Sequence, residues 1–211
     1  MSELILYDRE RSGNCYRVRL MLSILGLAYK KIPIPRDGLE GNQLPPGFLA
    51  LNPRGQVPVL LVDETAIWDS HAILIYLARR FGDGEWLPWD PQPLSRVMQW
   101  LALNLNEGTY GAARARSIRG MRRSGDLGAA QAMARVALRT LESRLCDQKW
   151  LAIERPTIAD VACFPYTAML PEAGVSLRPF PGVVRWIERI KAWPQYIALP
   201  PYDGKGGPLA E

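Results

Sequence analysis

The order of short apolar segments within the first 80 residues restricts most strongly the folds open to this chain. Residues 4–7 are apolar throughout and predict a buried strand. Residues 16–27 carry apolar side chains at helical spacing, and residues 30–34 alternate weakly, as a short strand does. Residues 36–51 are rich in Gly and Pro and predict a loop with room for one helical turn. The first part of the chain is therefore a β-α-β unit followed by a loop.

The next segments predict a hairpin and a helix. Residues 57–62 form a strand with Pro58 at its start, where a strand tolerates proline. Residues 65–68 return as a second strand after a turn. Asp69 and Ser70 then supply an N-cap for a helix over residues 71–78. A β-α-β unit followed by β-β-α, with proline opening the third strand, is typical of the thioredoxin fold.

Beyond residue 81 the pattern changes to helices. Residues 82–93 interrupt it with Gly, Pro and Trp, and we interpret them as a linker. Helical periodicity then extends over four segments, at residues 94–114, 129–146, 158–170 and 183–192. The sequence thus predicts an α/β plus all-α protein: a thioredoxin-like domain over 1–81, a linker over 82–93, and an all-helical domain over 94–211 with an irregular tail.

Composition excludes several classes of protein. No apolar stretch approaches the ~20 residues of a membrane-spanning helix, and the N-terminus lacks the features of a signal peptide. The chain has 3 cysteines, at scattered positions, which is too few for a disulfide framework. We therefore expect a cytoplasmic protein without a membrane partner.

The net charge of +5 raises the question of an anionic partner. Arginines crowd one region, at positions 114, 116, 119, 122 and 123. No aromatic residues are interleaved with them, and no nucleic-acid-binding motif accompanies them. We interpret the cluster as a solvated loop and helix face and expect no nucleic-acid partner.

The start of the first helix is the candidate catalytic position. A helix N-terminus stabilises negative charge, and redox proteins of this fold place Cys-x-x-Cys there. This chain has Ser12-Gly13-Asn14-Cys15, so a disulfide within the motif is impossible. The Ser12 hydroxyl can instead donate a hydrogen bond to a thiolate from outside, for which glutathione is the natural candidate, and so lower its pKa. The alternative is that Ser12 only caps the helix.

Two further positions suit a small peptide. In this fold the Val57–Pro58 bond is cis, and the backbone of Val57 can then pair with an extended peptide. Asp69 and Ser70 begin the next helix, where Ser70 suits a carboxylate and Asp69 suits an ammonium group. These are the two charges of the γ-glutamyl end of glutathione. Plain helix capping is again the alternative.

Five blocks of sequence carry a resemblance to a known family. They are Ser12-Gly13-Asn14 with Arg17-Val18-Arg19, residues 51–60 (LNPRGQVPVL), Asp69-Ser70 with Ala72-Ile73, residues 155–160 (RPTIAD), and residues 178–181 (RPFP) before Val184 and Trp186. In order and spacing they resemble the cytosolic glutathione transferases of the bacterial, theta-like and zeta-like kind. The resemblance spans nearly the whole chain.

The resemblance implies a homodimeric enzyme that uses glutathione as co-substrate and no metal. It implies that Ser12 activates the sulfur, that Gln43, Val57, Pro58, Asp69 and Ser70 bind glutathione, and that the helical domain shapes the site of a small, mainly apolar electrophile. Zeta-like members have Ser-Ser-Cys where this chain has Ser12-Gly13-Asn14, which argues against their isomerase activity. Some bacterial relatives use an asparagine at this place, so Asn14 is a second candidate for holding the sulfur. Cys15 is a weaker one.

Several other residues have a predicted place. Tyr7, Arg114 and Tyr166 are candidates for the second-substrate pocket, and core packing is the alternative for Tyr166. We expect His71, the single histidine, at the surface or in a dimer interface. Thr157 and Asp160 have capping-box spacing and a structural role. The predicted function is glutathione conjugation, and the alternatives are glutathione-dependent isomerisation, disulfide reduction or a non-catalytic binding module.

Overall fold

A computed structural model describes residues 3–34, 44–121 and 123–199. Four strands and eight α-helices lie in this part of the chain, with a π-helical segment between α4 and α5 and a 3-10 turn after α7. They are β1 Leu4–Asp8, α1 Gly13–Ile24, β2 Lys30–Pro33, α2 Phe48–Leu51, β3 Val59–Val62, β4 Thr65–Trp68, α3 Ser70–Phe81, α4 Pro91–Leu103, the π segment Asn104–Ala113, α5 Arg114–Met121, α6 Leu127–Leu145, α7 Ile158–Ala168, the 3-10 turn Leu170–Ala173 and α8 Pro181–Lys191.

The four strands form one mixed sheet in the order β2-β1-β3-β4. β1 pairs in parallel with β2 and antiparallel with β3, in a register that sets Leu6 opposite Leu60. Leu4 and Leu6 of β1 are buried and their neighbours in the strand are half-buried, as expected for a sheet whose one face packs on helices. α1 and α3 pack against each other beside this sheet. The thioredoxin-like arrangement predicted from the sequence is confirmed.

The second half of the chain is helical, and one core joins it to the first half. α7 packs against α1, where the Tyr16 and Phe164 rings lie 6.0 Å apart. The Tyr16 hydroxyl also donates to the Ile197 carbonyl at 2.6 Å. The helix that carries the candidate catalytic position is therefore held in place by the helical half. The boundaries 1–81, 82–93 and 94–211 stay a prediction.

The capping box at the start of α7 is present, as its spacing predicts. Thr157 Oγ1 accepts from the Ala159 N–H at 3.2 Å, and Asp160 Oδ2 accepts from the Thr157 N–H at 2.9 Å. Asp160 Oδ1 accepts from the Leu151 N–H at 3.1 Å and from the Trp186 indole N–H at 2.9 Å. Burial raises the pKa of Asp160 to about 6, so the carboxylate is still ionised at neutral pH.

The long helix predicted over residues 94–114 is not one regular α-helix. It continues as a π-helix over Asn104–Ala113 and then as α5. Gly111 packs here so closely on α6 that a Cβ would come within 2.6 Å of the Ala134 nitrogen. The π-helix is a rare form whose i→i+5 bonds change which side chains share a face, and it occurs often at functional sites.

Candidate active site

A cleft of about 470 Å³ opens between the thioredoxin-like half and the π-helical segment. This volume suits a small-molecule site. The cleft brings together five of the predicted site residues, which come from the starts of α1 and α3 and from the segment before β3. They are Ser12, Asn14, Val57, Asp69 and Ser70. Its remaining lining residues are Arg9, Arg54, Gln56, His71, Leu105, Thr109 and Tyr110.

Ser12 is the N-cap of α1 and keeps a proton to donate. Its Oγ accepts from the Cys15 N–H at 3.3 Å, and its own N–H donates to the Arg9 carbonyl at 3.0 Å. A serine hydroxyl can accept and donate at the same time. Capping the helix and donating to a ligand in the cleft are therefore compatible roles for the same side chain.

Cys15 lies one turn further and points into the core. Its side chain has no solvent exposure, and its Sγ accepts from the Arg9 N–H at 3.4 Å. Burial raises the pKa of this thiol to about 12. A reactive cysteine needs a low pKa and access to solvent, so this geometry favours Ser12 and Asn14 over Cys15.

Because residue 13 is a glycine, the start of α1 packs closely against the ring of Tyr166. A Cβ at Gly13 would come within 2.7 Å of the Tyr166 ring. Tyr166 is half-buried beneath this helix start, where it also lies 5.6 Å from the Arg17 guanidinium. The structure thus packs Tyr166 against the candidate catalytic position, outside the lining of the cleft.

We expect Gly13→Ala to destabilise the protein by about 1–3 kcal/mol, because the added methyl has no room against the ring. An exposed helix interior would give the opposite sign, since alanine is the better helix former by about 1 kcal/mol. Urea denaturation measures the difference, and the double variant Gly13→Ala/Tyr166→Leu should lose less than the sum of the two single changes. A stability equal to wild type would contradict the close contact.

Asp69 caps α3 from a backbone conformation that side chains rarely adopt, with φ of 73°. Its Oδ1 accepts from the His71 N–H at 2.8 Å. The interaction with the His71 side chain is the main reason that the pKa of Asp69 falls to about 2. The carboxylate therefore carries a full negative charge at the edge of the cleft. Such strained positions cluster at functional sites.

His71 is buried within the chain, at 5% exposure, so the expectation of a surface or dimer-interface position is wrong. Its Nε2 lies 2.9 Å from a guanidinium nitrogen of Arg17 and 2.9 Å from Asn104 Oδ1. The same Arg17 nitrogen donates to Ser70 Oγ at 3.2 Å. Burial, and then the charge of Arg17, lower the pKa of His71.

This network of Arg17, His71 and Asn104 connects α1, α3 and the π segment directly behind Asp69 and Ser70. Sequence reasoning missed it. The available signal was Arg17, a cation in the middle of an apolar helix, which requires buried acceptors.

Val57 lines the cleft, whereas Tyr7 and Arg114 do not. The Val57–Pro58 peptide bond is cis, and Val57 lines the cleft. Tyr7 packs edge-on against Phe48, with 5.5 Å between ring centroids. Arg114 donates to the Ser124 carbonyl at 2.6 Å and does not line the cleft. Gln43 lies outside the described residues.

Over residues 3–34, 44–121 and 123–199, no cluster of His, Cys, Asp and Glu side chains could hold a metal ion. In that same part of the chain no helix has the length and apolar composition needed to cross a membrane. A second concavity of about 550 Å³ lies at residues 83–90 beside Arg155 and Pro156, and its lining includes none of the predicted site residues.

The fold and the cleft define a thioredoxin-like domain joined to a helical domain, with serine where redox proteins have cysteine. Residues 11–80 match the family model for the glutathione S-transferase N-terminal domain, and residues 126–194 match that for the C-terminal domain. Maleylacetoacetate isomerase of Pseudomonas aeruginosa is 31% identical over 214 residues, covering 97% of this chain and 99% of the relative.

Solved structures agree with these matches. A glutathione S-transferase from Xanthobacter autotrophicus Py2 superposes with a TM-score of 0.86 at 32% identity, covering 95% of this chain and 98% of the other. A glutathione transferase family member from Pseudomonas fluorescens Pf-5, solved with two glutathione bound, gives a TM-score of 0.80 at 28% identity, covering 92% and 90%. The chain belongs to the glutathione S-transferase family.

Proposed function

We propose that this protein is a glutathione transferase that binds glutathione as a thiolate and transfers it to a small electrophile. The observation that carries the proposal is the convergence of Ser12, Val57, Asp69 and Ser70 on one cleft at the starts of two helices. The Ser12 hydroxyl can donate to the thiol of glutathione, and the backbone of Val57 can pair with its peptide. The start of α3, with the Asp69 carboxylate, suits the γ-glutamyl group. Family membership and the glutathione-bound relative support it.

Ser12 acts on the sulfur in this proposal. Its hydroxyl donates to the thiolate, and the N-terminus of α1 adds favourable electrostatics, so the thiol ionises near neutral pH and releases its proton to solvent. The thiolate then attacks an electrophilic carbon with its electron pair. A carbon–sulfur bond forms, and a leaving group such as chloride departs with the electrons of the bond that breaks. Asn14 lines the same cleft and is the alternative donor.

The opposite end of glutathione binds at α3. The ammonium group meets the Asp69 carboxylate, and the γ-glutamyl carboxylate meets Ser70 and the N-terminal N–H groups of α3. The backbone of Val57 pairs with the cysteinyl unit, and Gln43 is retained as a contact from the resemblance alone. His71 donates its backbone N–H to Asp69, and Arg17 donates to Ser70. Both are therefore positioning residues.

We expect Asp69→Asn to raise the KM for glutathione by about 10- to 100-fold with a much smaller change in kcat. The substitution removes the charge that faces the ammonium group but keeps an oxygen to cap α3, and a charged hydrogen bond contributes about 1.5–3 kcal/mol. Steady-state kinetics with glutathione as the varied substrate measure both constants. A fall in kcat at unchanged KM would place Asp69 in the chemical step instead.

A second candidate function is glutathione-dependent isomerisation, which the isomerase relative favours. Addition of the thiolate to a cis double bond, rotation, and elimination of the thiolate would convert cis to trans without consuming glutathione. The Gly13-Asn14 pair, where zeta-like proteins have Ser-Cys, argues against this activity. Assaying maleylacetoacetate with catalytic glutathione separates the two: turnover beyond the glutathione added would establish isomerisation.

Two measurements test the proposed function itself. Calorimetry with S-methylglutathione tests binding without requiring chemistry, and consumption of 1-chloro-2,4-dinitrobenzene tests conjugation. Binding together with conjugation supports the enzyme. Binding without conjugation or isomerisation leaves a glutathione-binding module, and absence of binding overturns the proposal.

The resemblance also supports a cytoplasmic homodimer. Trp68, on the edge strand β4, is 40% exposed and Met98 of α4 is 43% exposed, and these apolar side chains suit an interface between subunits. Sedimentation equilibrium tests the dimer, since a monomer at micromolar concentration would contradict it.

A further inference from the structure

One arginine of the cluster at residues 114–123 does not lie on a solvated face. Arg116, in α5, is 3% exposed, so the interpretation of the cluster as a solvated loop and helix face is wrong at this position. Its Nε donates to Glu172 Oε2 at 2.6 Å, and its Nη1 donates to the Arg11 carbonyl at 3.1 Å. A buried guanidinium is costly unless it is paired. These two contacts explain how α5 carries a cation at a buried position.

Glu172 fixes the direction of the Arg116 side chain. It lies in the 3-10 turn Leu170–Ala173, which packs against α5, and its side chain is largely buried. A guanidinium is a rigid planar fork, so the bond from Nε to the carboxylate also sets the direction in which Nη1 points. In this structure Nη1 points at the peptide group between Arg11 and Ser12.

That peptide group is held at both of its polar atoms. The Arg11 carbonyl accepts from Arg116, and the N–H of Ser12 donates to the Arg9 carbonyl at 3.0 Å. A peptide unit is planar, so bonds at its oxygen and its nitrogen fix the orientation of the whole unit. The plane includes the α-carbon of Ser12. The position of the Ser12 side chain in the cleft therefore depends on a contact from the helical half of the protein.

A second residue of the helical half lies at the same turn. Tyr166 of α7 packs against Gly13, the first residue of α1. Burial raises the pKa of Tyr166, and the charges of Arg17 and Arg116 act in the opposite direction. Arg116 is thus close to this ring as well as to the Arg11 carbonyl, and α5 and α7 together surround the start of α1.

We propose that Arg116 is a positioning residue for the activation of glutathione. By holding the Arg11 carbonyl, it sets the position from which the Ser12 hydroxyl donates to the thiolate, and Glu172 in turn orients Arg116. A displacement of about 1 Å can lower a rate by about 10²-fold, so a contact of this kind affects the chemistry without touching a substrate. This inference rests on the proposed function, since it requires a thiolate bound at the start of α1.

The pKa of bound glutathione, measured from the ultraviolet absorbance of the thiolate, tests this role. Arg116→Met removes the donor to the Arg11 carbonyl. We expect the pKa to rise by about 0.5–1 unit, which lowers kcat/KM by about three- to tenfold at about pH 6. The loss should largely disappear at about pH 9, where the thiol is ionised in both proteins. A smaller folded fraction would instead lower kcat/KM equally at both pH values.

The double variant Arg116→Met/Glu172→Met separates position from charge. It removes one positive and one negative charge, so the net charge near Ser12 does not change. Apolar side chains often replace a buried ion pair with little loss of stability. The pKa of bound glutathione should still rise as in Arg116→Met, because the Arg11 carbonyl again lacks its donor. Arg116→Lys keeps one donor and should give a smaller rise.

Arg79→Met is the matched control. Arg79 also donates from a helix to backbone carbonyls, those of Leu87 at 2.9 Å and Pro88 at 2.8 Å. It lies in the last turn of α3, at the opposite end of that helix from Ser70. This variant should lower the melting temperature and leave the pKa of bound glutathione unchanged.

Three results would overturn the inference and leave the proposed function intact. The first is a pKa of bound glutathione that neither Arg116→Met nor the double variant changes. The second is a rise in Arg116→Met that the double variant reverses, which would assign the effect to charge. The third is an equal rise in Arg79→Met, which would assign it to stability. If the wild type binds glutathione with the pKa of the free thiol, the inference and the proposed function are both overturned.

Discussion

Ser12→Ala should raise the pKa of bound glutathione most of the way toward that of the free thiol, about 8.5, and lower kcat/KM by about 10²- to 10³-fold. Ser12 caps α1 through its oxygen and retains its hydroxyl proton, so this proton is available to a ligand in the cleft that Ser12 lines. Without it, the N-terminus of α1 remains as the source of stabilisation for the thiolate. The chemical step then starts from a smaller ionised fraction at neutral pH.

Ultraviolet absorbance of the bound thiolate, followed as a function of pH, measures the pKa directly. Ser12→Thr keeps a hydroxyl and should keep most of the shift, and Asn14→Ala tests the neighbouring amide in the same experiment. A shift that survives in Ser12→Ala and disappears in Asn14→Ala would transfer the role to Asn14. Loss of the cap itself costs about 1 kcal/mol of stability, which a melting curve detects separately.

The fold could be predicted because its signals are local. β4 occupies Thr65–Trp68 as its pattern predicts, and α3 begins at Ser70 after its predicted cap Asp69. The same locality explains why Ser12 and Asp69 could be predicted to lie near one another, since each begins a helix and a thioredoxin-like sheet brings these helix starts to one edge. Local pattern and tertiary structure agree at these positions.

The features that were missed arise from packing between distant segments. Nothing in the periodicity of residues 94–114 distinguishes a π-helix from an α-helix, because the difference depends on contacts such as that of Gly111 with α6. Nor does the sequence around His71 indicate that Arg17 and Asn104 meet its ring. For the same reason the wall of the cleft that the π segment forms could not be assigned. Residues 105, 109 and 110 share a face only in the geometry that the folded chain imposes.

Asp160→Asn should destabilise the protein by about 3 kcal/mol or more, the largest effect on stability that we expect from one near-isosteric change. Asp160 receives N–H groups from Thr157, Leu151 and Trp186, and the group has no solvent exposure. An asparagine can offer its oxygen to one side only. Its amide nitrogen then faces at least one buried N–H group. That N–H group and the amide N–H of the asparagine both lack an acceptor.

Trp186→Phe provides the comparison, because it removes one donor and leaves the carboxylate with its two backbone N–H bonds. We expect this variant to lose markedly less stability from the polar contact than Asp160→Asn, and urea denaturation of both at pH 7 makes the test. Comparable losses would mean that packing of the Trp186 ring outweighs the bonds to Asp160. Because α7 packs against α1, a destabilised start of α7 should also make the turn that carries Ser12 more mobile. Activity in Asp160→Asn should therefore fall at temperatures well below its unfolding midpoint.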